Sequence, residues 1–187
     1  MHAAERLRAA GLPCPEVSVG STPTALSAQH LHGVTEVRAG VYVFHDLVMA
    51  NVGVCSFDEI ALSVLATVIG HQPEKGWVLT DAGWMAMSRD RGTQAQAVDY
   101  GYGAVCDEAG RPLHGFIVSG ANQEHGIVSQ RDGEFAGARD DLAQRFPLGT
   151  RLRILPNHAC ATAAQFSDYA VLGHHGALQR WERFGGW

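Results

Sequence analysis

The sequence predicts an α+β chain: a short α/β stub over residues 1–46, followed by a β-rich domain over residues 47–187. Two observations carry this. Residues 16–44 place two apolar, β-branched runs on either side of a small-residue loop and a helix candidate, the order of a strand–helix–strand unit. Beyond Asp46 the pattern changes to short β-branched and aromatic runs separated by Gly-containing turns, the mark of many short strands. A hydrophobic content of 46% with 18% charged residues fits a packed core and not a disordered chain.

Residues 3–10 are good helix formers (Ala3, Ala4, Glu5, Arg6, Leu7, Arg8), stopped by Gly11 with Pro13 just beyond. Residues 16–19 form a strand that enters the loop Gly20-Ser21-Thr22-Pro23-Thr24, with a helix expected from Thr24. Such a loop can offer backbone amides and hydroxyls to an anion, although from spacing alone an ordinary Gly-Ser turn capped by Thr24 is the favoured reading. A second strand is expected over 35–44, with Gly40 as a bulge. The segment is too short for a domain and has the character of the last piece of a larger parallel unit.

Residues 60–69 are apolar on both faces and predict a buried strand, returning through a turn at Lys75-Gly76 to a strand at 77–81. Residues 81–84 and 89–92 are loop-like. Further strands are expected at 100–105, 113–118 and 126–129, then, after a turn at 147–150, along 152–158 and 169–172. Residues 176–184 read as a polar and aromatic tail.

Composition narrows the function. A net charge of −5 without a Lys/Arg cluster speaks against a nucleic-acid partner. The longest apolar run, 60–70, is too short to span a bilayer, and no secretory signal pattern opens the chain. Four scattered cysteines (Cys14, Cys55, Cys106, Cys160) read as free thiols, which makes the cytoplasm the default. Thirteen of the fourteen basic residues are arginine, so Lys75 is the only amine available to chemistry, and its turn setting reads as surface.

The stretch with chemistry in it is Pro156-Asn157-His158-Ala159-Cys160. In an extended backbone, residues two apart face the same way, so His158 and Cys160 would sit side by side as a zinc-type donor pair with coordination positions left open. Taken alone, a His-x-Cys pattern is more often a cysteine packed as a small hydrophobe. His125, after Glu124, is a candidate for orienting a ligand or for a structural hydrogen bond at a turn. Asp81 reads as structural, and His174-His175 as an exposed turn. A zinc hydrolase built on His158, Cys160 and His125 is a further option, unsupported by an H-E-x-x-H pattern.

Five motifs in one order, Gly-Ser-Thr-Pro-Thr (20–24), residues 36–46, residues 81–90, Gln-Glu-His-Gly (123–126) and Pro-Asn-His-Ala-Cys (156–160), resemble the D-serine dehydratase / D-threonine aldolase family. These are pyridoxal-phosphate (PLP) enzymes of the alanine racemase fold. The resemblance implies that the stub is the end of a TIM-like barrel and that the rest is the family's C-terminal domain. It also implies that Gly20, Ser21, Thr22, Gly40 and Tyr42 contact the cofactor phosphate, and that His158 and Cys160 hold Zn2+. Cysteine at the second metal position resembles the D-serine and 3-hydroxyaspartate dehydratases, whereas the aldolases would carry aspartate there. The implied activity is a lyase reaction on D-3-hydroxy amino acids, β-elimination to a 2-oxo acid and ammonia, with aldol cleavage or a non-catalytic metal-binding remnant as alternatives. The family's Schiff-base lysine has no counterpart in this sequence, so catalysis would need the missing N-terminal half from elsewhere, or a homodimer, and the chain alone is expected to be inactive and prone to associate.

Overall fold

The computed structural model describes residues 2–131, 141–173 and 176–185. The N-terminal segment forms helix α1 (His2–Ala9), strand β1 (Ser18–Gly20), helix α2 (Thr22–Ser27) and strand β2 (Glu36–Arg38). β1 and β2 are parallel, with Gly20 opposite Arg38. Parallel strands are normally covered on both faces, yet here Leu7, Leu12, Leu26, Leu31, Val37 and Val43 are all exposed. The segment has almost no core of its own.

The expected strand over 35–44 is corrected. It stops at Arg38, and Val41–Val43 is a turn of 3-10 helix. Gly40 precedes that turn with an ordinary negative φ and is not a bulge. The β-branched run is overruled by tertiary anchors: the Phe44 carbonyl accepts from Ala61 N at 2.7 Å, and Asp46 begins the next helix, α3 (Leu47–Asn51).

The main body is a closed antiparallel barrel. Its strands are β3 (Val64–Gln72), β4 (Trp77–Thr80), β5 (Gly103–Asp107), β6 (Pro112–Ala121), β7 (Gly126–Gln130) and β8 (Arg151–Pro156), joined in the order β3-β4-β7-β6-β5-β8. Closure leaves no open edge. Alternate residues fill the interior: Val64, Ala66 and Val68 from β3, Leu152 and Ile154 from β8, and Val78, Val105, Val118 and Val128 from the others. Helix α5 (Asp141–Arg145) plugs one end, with Leu142 buried and Phe146 edge-on to Phe116 at 5.1 Å. His71 Nε2 lies 2.6 Å from the Phe146 carbonyl and ties that plug to β3.

β5 and the end of β8 are buried on both faces. Ala104, Cys106 and Leu155 point outward and pack with Leu47 and Ile60, which fastens α3 to the barrel wall. Two short helices differ from the expected loops and strand. α4 (Trp84–Met87) follows β4, and α6 (Ala159–Ala163) follows β8, so the 152–158 strand ends at Pro156. The expected tail is also corrected: β9 (Asp168–Leu172) and β10 (Leu178–Glu182) form an antiparallel hairpin, leaning on the stub through Phe44 and Tyr169 at 5.3 Å. His174 and His175 lie outside the described residues. Among the described residues no helix is long and apolar enough to cross a membrane.

Candidate metal centre

The site grows from the end of β8. Three consecutive residues there are each held by a different polar anchor. Asn157, 2% exposed, donates through Nδ2 to the carbonyls of Asp90 (3.0 Å) and Gly101 (2.7 Å) and accepts from the buried Thr93 hydroxyl at 3.1 Å. His158 Nδ1 lies 2.7 Å from Asp90 Oδ2. The Ala159 amide donates to Asp46 Oδ2 at 2.9 Å.

The third anchor explains why a helix starts here. A helix leaves its first amides without partners, and the N-cap side chain normally satisfies one. His158 occupies the N-cap position of α6 but makes no capping bond. Asp46, 1% exposed, supplies the carboxylate from 113 residues away, and its Oδ1 also accepts from Met49 N to cap α3. One buried carboxylate thus pins two helix N-termini, where its charge is favoured by the helix dipole.

α6 is small-residue rich, with Ala159, Thr162 and Ala163 buried, and Thr162 Oγ1 donates to the Met87 carbonyl at 2.7 Å. That contact fixes α4, whose C-cap Ser88 adopts φ 79. A left-handed serine costs about 1–3 kcal/mol and such strain gathers at functional sites. Ser88 Oγ accepts from Asp90 N at 3.2 Å, so the strained turn delivers the aspartate to His158. Nearby, Arg91 pairs with Asp99 at 3.0 Å, and Asp99 Oδ1 accepts from Gly101 N at 2.8 Å, which closes the loop 88–103.

What this leaves open is the donor pair. Cys160 is exposed and the His158 side chain is 45% exposed. The expected strand geometry is corrected: His158 has extended backbone, but Cys160 is the second residue of a helix, so the two belong to one N-terminal turn and not to one strand face. Two residues apart, their backbones lie within about 7 Å of each other. With Nδ1 on Asp90, the ring's Nε2 is the atom left for a ligand. One imidazole nitrogen and one accessible thiol are a donor set that suits zinc. Among the described residues no group of three or more His, Cys, Asp or Glu is placed to hold a metal, so a cation here would draw its remaining ligands from elsewhere.

The other expected residues fall in a second place. Because β1 and β2 are parallel, the loops after them lie at the same carboxyl end, where open α/β sheets bind ligands. Gly20 ends β1, Ser21 occupies the N-cap position of α2 and Thr22 begins it, while Gly40 and Tyr42 lie at the 3-10 turn after β2, and the Tyr42 amide donates to the buried Thr22 hydroxyl at 3.2 Å. Ser21 carries φ 92, and a Cβ at Gly20 would come within 3.3 Å of the Arg38 carbonyl and 3.8 Å of its guanidinium. Loop amides, a hydroxyl and one cation fit the phosphate end of a cofactor. Gly40 has open space around it and is no cradle by itself. His45, with φ 52, buries its Nδ1 without a hydrogen-bond partner between this loop and Asp46.

His125 is exposed in the turn between β6 and β7, and no hydrogen bond joins it to His158 or Cys160. Its turn does reach the site indirectly, since the Asn122 and Gln123 carbonyls accept from Trp84 N (2.9 Å) and Met85 N (3.2 Å). Asp81 is structural, accepting from Thr67 N at 2.7 Å. Lys75 is exposed beside the Trp77 ring, 4.6 Å from its centroid, on the turn that Gly76 closes. Two clefts, of about 370 and 790 Å3, are lined by neither His158 nor Cys160. Asp90 and Asp46 were not singled out from sequence. Each lies within one of the five motifs, but its partner is 68 residues away for Asp90 and 113 for Asp46.

Residues 61–172 match the family described as "Putative serine dehydratase domain". The chain is 68% identical over 187 residues to D-threo-3-hydroxyaspartate dehydratase of Delftia sp. (strain HT23), covering all of this chain and 48% of that one. It is 32% identical to D-serine dehydratase of Dictyostelium discoideum, covering 91% of this chain and 42% of the relative. The solved Delftia enzyme superposes with a TM-score of 0.89 over 99% of this chain and 48% of its own, and an alanine racemase-like protein from Idiomarina loihiensis, 50% identical, with 0.86. Solved forms of the hydroxyaspartate dehydratase include a histidine-to-alanine mutant and a cysteine-to-alanine mutant in the metal-free form, the two substitutions lying two positions apart. The chain spans about half the length of the curated relatives it matches. With more than half of its residues inside the family's model, this chain belongs to the D-serine dehydratase-like family.

Proposed function

We propose that the chain is the metal-holding part of a PLP- and zinc-dependent lyase acting on D-3-hydroxy amino acids, of the D-threo-3-hydroxyaspartate or D-serine dehydratase type. The observation that carries this is the exposed pair His158 and Cys160 on a turn whose backbone is pinned by Asp46, Asp90 and Asn157. The metal-free cysteine mutant of the 68%-identical relative, with its histidine counterpart two positions away, supports the same pair as ligands.

His158 Nε2 and Cys160 Sγ would hold the ion on its protein side and leave the opposite side for a substrate hydroxyl. Zinc there supplies Lewis acidity toward a departing hydroxyl, and PLP supplies an electron sink at the α-carbon. The Asp46 carboxylate keeps the α6 amide from competing for the substrate and fixes the turn against displacement. Ser21, Thr22 and Tyr42 would bind the cofactor phosphate through hydroxyl and backbone groups, with Arg38 as the nearby positive charge. The sole lysine, Lys75, is exposed on the far turn of the β3–β4 hairpin, so the amine that anchors the cofactor belongs to a part of the enzyme outside this sequence.

The bare parallel pair β1–β2 supports a TIM-like barrel whose other strands cover the exposed Leu26, Leu31 and Val37, with 1–46 as its end and 47–187 as the second domain. The partner that covers them is the N-terminal half of such an enzyme or a second copy of this chain. Four unpaired thiols fit a reducing compartment such as the cytoplasm.

The test is reconstitution. The chain is mixed with the N-terminal half of the Delftia relative, zinc and PLP, and ammonia and 2-oxo acid are followed from D-threo-3-hydroxyaspartate and D-serine. Turnover that disappears in Cys160→Ala supports the lyase. A well-folded complex that binds both cofactors and releases no ammonia would contradict it.

A further inference from the structure

We propose that Asp90 is the positioning residue of the metal centre: it locks the His158 imidazole with its proton on Nδ1, so that Nε2 is the nitrogen offered, with the Cys160 thiol, to a divalent cation. The inference rests on the metal reading above.

The chemistry of the contact leaves one arrangement. An ionised carboxylate can only accept a hydrogen bond, so a neutral imidazole with Nδ1 2.7 Å from Asp90 Oδ2 must carry its proton there. Nε2 then holds the lone pair, which is the form a metal takes. A carboxylate on the far nitrogen also raises ligand basicity and fixes ring orientation.

Asp90 is itself held on two further sides. Its amide donates to Ser88 Oγ at 3.2 Å, and its carbonyl accepts from Asn157 Nδ2 at 3.0 Å. Asn157 and His158 therefore grip the same aspartate, one by its backbone and one by its side chain. Gly92 permits the approach: a Cβ there would come within 2.8 Å of Val48 Cγ2 and 3.0 Å of Asp90 Oδ1. A side chain at 92 would push directly on the carboxylate. The pair lies at the surface, with Asp90 32% and His158 45% exposed, so water competes for Nδ1 and a free ring would sample both tautomers. The clamp is what removes that freedom.

Two measurements on the whole chain test this. Long-range 1H–15N spectra of the metal-free protein, above neutral pH, report the His158 tautomer without any metal. The wild type should show Nδ1–H; Asp90→Ala should shift toward Nε2–H; Asp90→Asn, which retains an acceptor oxygen, should hold Nδ1–H. Competition with a chromophoric chelator for Co2+ then reads the consequence. Asp90→Ala should bind about 10–100-fold more weakly, and Asp90→Asn should recover most of that loss. A wild-type ring with mixed tautomers, or an Asp90→Ala chain that matches wild type in both measurements, overturns the assignment. A fixed Nδ1–H ring in a chain that takes up no cobalt overturns the metal reading instead and leaves the Asp90 contact as packing.

Discussion

Replacing Asn157 by alanine tests the pinned turn most sharply, because its side chain closes three hydrogen bonds in one buried place. Thr93 loses a partner but still lies 3.5 Å from Asp99 Oδ1, so its hydroxyl can turn there. The Gly101 carbonyl, in a fully buried contact, has no such recourse, and the Asp90 carbonyl is only partly reachable by water. A stranded buried group costs about 1–3 kcal/mol, so one full and one partial orphan sum to about 2–4 kcal/mol. In a chain of this length that is a fall in Tm of about 5–15 °C. Guanidinium unfolding with an unchanged slope is the assay. Asn157→Asp should be worse, since it aims a charge at two carbonyl oxygens. A loss under about 1 kcal/mol for Asn157→Ala would show that the turn is not held as described.

Gly83→Ala should destabilise the chain by more than about 2 kcal/mol, because its Cβ would lie 2.3 Å from the Gln123 carbonyl and 2.4 Å from that of Asn122, separating α4 from the β6–β7 turn; thermal melting checks it. In limited alkylation followed by mass spectrometry, exposed Cys160 should react first. Cys106 should be spared, its thiol pushed up to about 11 by burial and then by Asp107. Asp107 is held below the ordinary carboxylate range by hydrogen bonds from the Arg111 amide and guanidinium. Its contribution is therefore present above that range and lost as pH falls through the folded value, and Arg111→Ala should move its NMR titration upward and flatten the acid limb. The uncovered β1–β2 pair should make the chain self-associate in a concentration-dependent way by light scattering, and addition of the complementary barrel half should suppress it.

The strands of the β-rich domain were legible because their pattern is local, while their closure into a barrel was not. Leu152 and Ile154 are the apolar residues of an alternating strand, whereas 60–69, expected to be buried on both faces, is a strand from Val64 that buries Val64, Ala66 and Val68 and exposes Leu65 and Ile69. The closeness of His158 and Cys160 was legible too, although the backbone that carries them is a helix start and not a strand. What escaped was set by distance in sequence. Val41, Tyr42 and Val43 have the composition of a strand, yet Asp46 is drawn to an amide 113 residues on, and the chain must turn to reach it. The same carboxylate starts α6 where the alternation of β8 implied more strand. A four-residue helix such as α4 is too short to show a period. At Leu178–Glu182 the second strand of a hairpin is exposed throughout, so no buried face wrote itself into the sequence.

The most direct measurement is metal stoichiometry of the purified chain and of its ligand variants, by elemental analysis after equilibration with zinc. The account predicts one zinc per wild-type chain, none in His158→Ala or Cys160→Ala, and a folded barrel in all three. Equal zinc in wild type and Cys160→Ala would contradict it.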